Sequence, residues 1–96
     1  MKKVYLLAYS MTLGTQEEVI ACLNTIPGLL WRSDMTNSFY LISEKSAEEL
    51  VAAIRKCREG KGRFLITEIH PQNKQGWLTP DTWYLINNKT HKPREK

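Results

Sequence analysis

An α+β fold, with two strand-helix-strand units on one antiparallel sheet, is what this sequence predicts, and three observations carry it. Two capping boxes, Thr15-Gln16-Glu17-Glu18 and Ser46-Ala47-Glu48-Glu49, each open an amphipathic segment. In each, the hydroxyl accepts from the amide three positions on, and the Glu reaches back to the cap amide. Each box also follows an apolar, strand-like run. The order is then strand, helix, strand, strand, helix, strand, and right-handed crossovers place both helices on one face. This is the ferredoxin-like βαββαβ sandwich.

Residues 2–9 form the expected first strand, apolar on both faces and so central in the sheet. Ser10-Met11-Thr12-Leu13-Gly14 leads to the first cap. Residues 16–26 make the first helix, with Val19, Ile20, Leu23 and Ile26 on one side, and Pro27-Gly28 ends it. The second strand, 29–34, contains Trp31. Asp34-Met35-Thr36-Asn37 turns the chain into the third strand, 38–43, apolar through its middle. The second helix covers 47–59, buries Ala47, Leu50, Val51, Ile54 and Cys57, and stops near Gly60. Residues 62–70 form the fourth strand. Gly76-Trp77-Leu78 is expected to add a short fifth strand, and Thr79 with Pro80 opens a last short helix over 81–87. The domain spans 1–87, and 88–96 form a basic, disordered tail.

Ninety-six residues hold one domain with a modest core. The apolar share of 42% and charged share of 25% are ordinary for a globular chain. No apolar run approaches the roughly 20 residues of a membrane span, so no membrane partner is expected. The apolar run after Met1-Lys2-Lys3 is short, contains two Tyr, and leads to no small-residue cleavage site. A buried first strand explains it better than a signal peptide. Cys22 and Cys57 fall on helices and are expected as small core residues in a reducing, cytoplasmic setting; a disulfide between them is left open. With no Cys-x-x-Cys, and His70 and His91 far apart, neither a metal nor a cofactor is expected.

The net charge of +4 is unevenly placed. Arg55, Lys56, Arg58, Lys61 and Arg63 cluster with only Glu59 against them, and Lys89, Lys92, Arg94 and Lys96 outweigh Glu95 near the end of the chain. Such clusters suit phosphate; cations also simply favour helix C-termini. The strands supply a second clue. Tyr5, Leu7 and Tyr9 alternate with Val4, Leu6 and Ala8, and Phe39 and Leu41 with Tyr40 and Ile42. Whichever set faces the helices, the other is large and apolar. An open face of that kind implies a partner, either a second copy of the chain or stacked bases.

Four short stretches carry a family likeness: the first strand ending in Tyr9; Trp31 followed by Asn37-Ser38-Phe39-Tyr40-Leu41-Ile42; Ser46-Ala47-Glu48-Glu49-Leu50; and Gly76-Trp77-Leu78 with Pro80 and Trp83. In these the chain resembles the small CRISPR-associated adaptation-nuclease fold and its SinR-like relatives. The resemblance implies a homodimer with sheets packed face to face, the segment after the fourth strand joining the partner's sheet, and Tyr5, Tyr9, Trp77 and Leu78 at the interface. Nucleases of the family carry an acidic metal ligand just after the first-strand Tyr. Here that position is Ser10, a neutral hydroxyl and a poor magnesium ligand.

The expectation is therefore a non-catalytic, dimeric, nucleic-acid-associated protein, with Arg55, Lys56, Arg58, Lys61 and Arg63 as its phosphate contacts. A protein-binding inhibitor or antitoxin-like module is the alternative. A metal-dependent ribonuclease using Ser10, Asp34 or His70 is a further one, although no two of these are neighbours in sequence. An RNA-recognition sheet stacking bases on Tyr5, Phe39 or Tyr40 lacks the basic, Gly-containing aromatic motif on its third strand.

Overall fold

The computed structural model describes residues 1–93. Along the chain run β1 (Lys3–Tyr9), a single 3-10 turn (Met11–Leu13), α1 (Gln16–Leu23), β2 (Leu30–Arg32), β3 (Ser38–Ser43), α2 (Ala47–Cys57), β4 (Phe64–Glu68) and α3 (Pro80–Asn88). The strands form one antiparallel sheet in the order β2-β3-β1-β4.

Both capping boxes close. The Glu18 amide donates to Thr15 Oγ1 at 3.2 Å and the Thr15 amide to Glu18 Oε1 at 2.9 Å. Ser46 and Glu49 repeat the exchange at 3.1 and 3.0 Å. Helix α1 stops at Leu23 rather than at 26. The Thr25 and Ile26 amides donate three residues back, to Cys22 and Leu23, and the Thr25 hydroxyl donates to the Cys22 carbonyl at 2.6 Å. Tightened turns thus satisfy the last free carbonyls before Pro27. Helix α2 ends at Cys57 rather than 59, in a Schellman turn: the Gly60 amide donates to Arg55 O at 2.8 Å and the Glu59 amide to Lys56 O at 3.3 Å.

Two strands are shorter than expected. Only Leu30, Trp31 and Arg32 of β2 find partners, Ile42, Leu41 and Tyr40, and β4 pairs from Phe64 to Glu68. The fifth strand expected at 76–78 does not form; these residues run as a loop among the described residues. Helix α3 is longer than expected and takes in Asn88, which the sequence placed in the tail. Residues 94–96 of that expected tail lie outside the described residues.

Each sheet face has its own core. On the first, Tyr5, Leu7 and Tyr9 of β1, Phe39 and Leu41 of β3 and Ile66 of β4 pack under Val19, Cys22 and Leu23 of α1 and Leu50 and Ile54 of α2. Phe39 stacks on Tyr9 with ring centres 5.8 Å apart and takes the edge of Trp31 at 5.5 Å. On the second face, Val4, Tyr40 and Ile42 pack against Leu85 and Ile86 of α3. The wholly open face expected from the strand alternation is thus closed in part by the chain's own last helix. What stays exposed is the β4 side, at Ala8, Leu65 and Thr67. No helix among the described residues is long and apolar enough to cross a membrane.

Candidate nucleic-acid interface

The basic cluster sits where three chain segments are tied together at one end of the sheet. The chain leaves β1 at Ser10, whose amide donates to Arg63 O at 3.0 Å, while the Arg63 amide donates to Thr12 Oγ1 at 3.2 Å. Ser10 Oγ caps the 3-10 turn, accepting from the Thr12 amide at 3.3 Å and sharing a hydrogen bond with the Thr12 hydroxyl. Gly62 lies flat against this turn, with φ at +80° and no room for a side chain. The start of β4 is therefore pinned to the end of β1.

Arg58 is the clamp of this junction. Its Nε donates to Leu13 O at 2.9 Å, and its Nη2 lies 3.4 Å from Glu18 Oε2. The Thr15 amide and hydroxyl, and then Arg58, hold the Glu18 carboxyl below its ordinary range. With only 20% of its side chain accessible, Arg58 is committed to the fold. The other four cations are not. Arg55 and Lys56, in the last turn of α2, and Lys61 and Arg63, in the loop to β4, are all exposed. None of the four joins an ion pair among the described residues. Glu59, the acid between them in the chain, dilutes them from a left-handed backbone position with φ at 55°.

Two of the ribonuclease candidates, Ser10 and His70, are held apart. Ser10 follows the end of β1 and His70 the end of β4. Those strands are antiparallel, so the two residues stand at opposite ends of the sheet, separated by more than the length of β4, itself about 17 Å. His70 Nδ1 accepts from the Gln72 amide at 3.1 Å. Asp34 serves α3 instead: its Oδ2 accepts from the Thr79 amide and the Thr79 hydroxyl, both at 3.0 Å. Hydrogen bonding, from Thr82 first and the Thr79 amide next, draws the Asp34 carboxyl below its ordinary value. Arg32 Nε donates to Thr82 Oγ1 at 2.8 Å and completes this anchor. No group of three His, Cys, Asp or Glu side chains suited to a metal ion comes together among the described residues.

The expected interface residues divide. Tyr5 is 1% exposed, under α1 and α2, with its hydroxyl donating to Lys45 O at 2.7 Å. Tyr9 is buried beside it, stacked on Phe39. Both rings belong to the chain's own core because the helices took that face of β1. Trp77, by contrast, is 99% exposed, next to Leu78, which packs half-buried on the second core. Two features of this end were beyond sequence reasoning, the Arg58 clamp and the Thr12 hydroxyl. The one available signal was Gly60-Lys61-Gly62, whose paired glycines mark a close approach of backbones.

Comparison with known proteins finds no matching family model, no matching curated protein and no matching solved structure.

Proposed function

We propose that this chain is a non-catalytic, dimeric protein of the ferredoxin-like, CRISPR-associated or SinR-like class, and that it associates with nucleic acid through Arg55, Lys56, Lys61 and Arg63. The class is supported by the strand order β2-β3-β1-β4, with a helix after β1 and another after β3. The single observation that carries the partner is the set of four exposed cations, in no ion pair among the described residues, on a hydrogen-bonded junction. Preset geometry lowers the ordering cost of binding a polyanion. Arg58 is not among the contacts, because it is spent on Leu13 and Glu18.

The test is binding of a mixed-sequence oligonucleotide over a range of salt. Each phosphate contact adds about 0.7–0.9 to the slope of log affinity against log salt. The triple variant Arg55→Ala, Lys61→Ala, Arg63→Ala lowers that slope by about 2–3 and leaves the unfolding midpoint unchanged. Salt-insensitive binding, or a triple variant that binds like the parent, overturns the proposal.

One observation favours a second reading, a protein partner. Trp77 is fully exposed beside Leu78 and Trp83, and Leu65 is 63% exposed on β4. Aromatic and aliphatic side chains so displayed are typical anchors of protein interfaces. In the proposed homodimer they are covered by a second copy. Light-scattering mass separates the cases: the parent is a dimer that Trp77→Ser and Leu65→Ser convert to monomer. A parent that is monomeric throughout moves the reading to a different protein partner.

A further inference from the structure

Two thiols lie in the first core. Cys22 lies in the last turn of α1 and Cys57 is the last residue of α2; both are free and belong to the same packed cluster. Cys22 is fully buried, whereas Cys57 is half-buried at the helix end. Helices α1 and α2 pack on one another, and the Arg58–Glu18 pair at 3.4 Å ties the residue after Cys57 to the turn just before Cys22. Arg55 and Lys56 stand exposed just before Cys57. Nothing in the proposed nucleic-acid contact uses either sulfur.

We propose that Cys22 and Cys57 form an oxidation site, in which a small anionic disulfide of the glutathione type converts the dithiol to a cross-link between α1 and α2. Cys57 Sγ, as thiolate, attacks one sulfur of the reagent; a mixed disulfide forms and one glutathione thiolate leaves. Cys22 Sγ then gives its proton to solvent and attacks Cys57 Sγ, and the second glutathione thiolate leaves. The protein loses two electrons and two protons, and one oxidised glutathione becomes two reduced ones. The order follows from access. Cys22 is fully buried, and burial above all pushes its thiol up to about 12, so Cys22 is the resolving sulfur; half-buried Cys57 is the one that meets the reagent. The cationic residues before Cys57 suit a reagent that carries carboxylates.

The test uses the full chain with oxidised glutathione and intact-mass readout. The parent is expected to lose the mass of two hydrogen atoms, to yield a Cys22–Cys57 cross-linked peptide, and to gain on the order of 10 °C in Tm, reversed by dithiothreitol. Cys22→Ser is expected to stop at a single glutathione adduct on Cys57, and Cys57→Ser to stay unmodified, with circular dichroism confirming that each variant is folded. Urea-unfolded parent shows that the reagent is competent. A folded parent that stays reduced while the unfolded chain cross-links overturns the proposal. So does one that halts at the single adduct or joins two chains.

Discussion

Gly62→Ala probes the junction that carries the basic cluster. At φ +80° a residue with a Cβ costs about 1–2 kcal/mol in backbone conformation alone. The added Cβ would also stand 2.3 Å from Leu13 Cα, 2.4 Å from Leu13 N and 2.7 Å from Thr12 C. These are backbone atoms, so no rotamer relieves the clash. The turn must retreat, loosening the bonds that Arg63 makes to Ser10 and Thr12, at a further cost of about 1–3 kcal/mol. Gly28→Ala is the matched control: φ is +74° and nothing lies within 4 Å of its Cβ. Urea unfolding of the two variants isolates the steric part. With m of about 1 kcal/mol/M, Gly62→Ala unfolds about 1–3 M earlier than Gly28→Ala. Equal midpoints at equal m would refute the reasoning, and with it the view that backbone contact holds the cations in place.

The junction and the two capping boxes give further outcomes. Glu59→Gly relieves a left-handed residue and removes the one acid among the cations; it stabilises by about 1 kcal/mol in urea melts and tightens oligonucleotide binding at low salt. Arg58→Ala destabilises by about 1–3 kcal/mol because Leu13 O loses its donor, whereas Arg55→Ala stays within about 0.5 kcal/mol of the parent by the same assay. Acid stability reports the capping boxes. Glu18 and Glu49 are held below their usual 4.5 in the folded chain, chiefly by the Thr15 and Ser46 amides. Their contribution is complete above 4.5 and is lost as pH falls through the lowered folded values. The double variant Glu18→Gln, Glu49→Gln therefore flattens the acid limb of the stability–pH curve, measured by urea midpoints from pH 6 down; an unchanged limb would refute it.

Local chemistry was the legible part of this chain. The capping boxes fixed both helix starts to the residue, and β3 runs from 38 to 43 as its apolar middle implied. Where elements stop was less legible, because that depends on turns such as the Schellman turn at Glu59, a residue whose type gives no hint of a left-handed backbone. The facing of β1 could not be told from its letters, since Tyr5, Leu7 and Tyr9 are as apolar as the set between them. The pairing of Leu7 with Phe39 and with Ile66 settles it, a relation among three distant segments. Asp34 looked like a turn former, and its bond to Thr79 spans 45 residues. Likewise, the five cations were visible as a cluster, but the contacts with Leu13 O and Glu18 that separate Arg58 from the other four reach across 45 and 40 residues.

The central place of β1 has a consequence for how this chain is made. It leaves a ribosome ahead of its sheet neighbours β3 and β4, which are complete only after residues 43 and 68. Until then Tyr5, Leu7 and Tyr9 wait in water, and pairing across such long loops is intrinsically slow. Helix α3 emerges later still. The first core can close while Val4, Tyr40 and Ile42 remain wet, and α3 seals them afterwards. The two partly buried tryptophans divide accordingly: Trp31 packs on the first core and Trp83 on the second. A chain truncated before residue 80 thus acquires the Trp31 environment, and the Trp83 signal marks the moment the second face is shut.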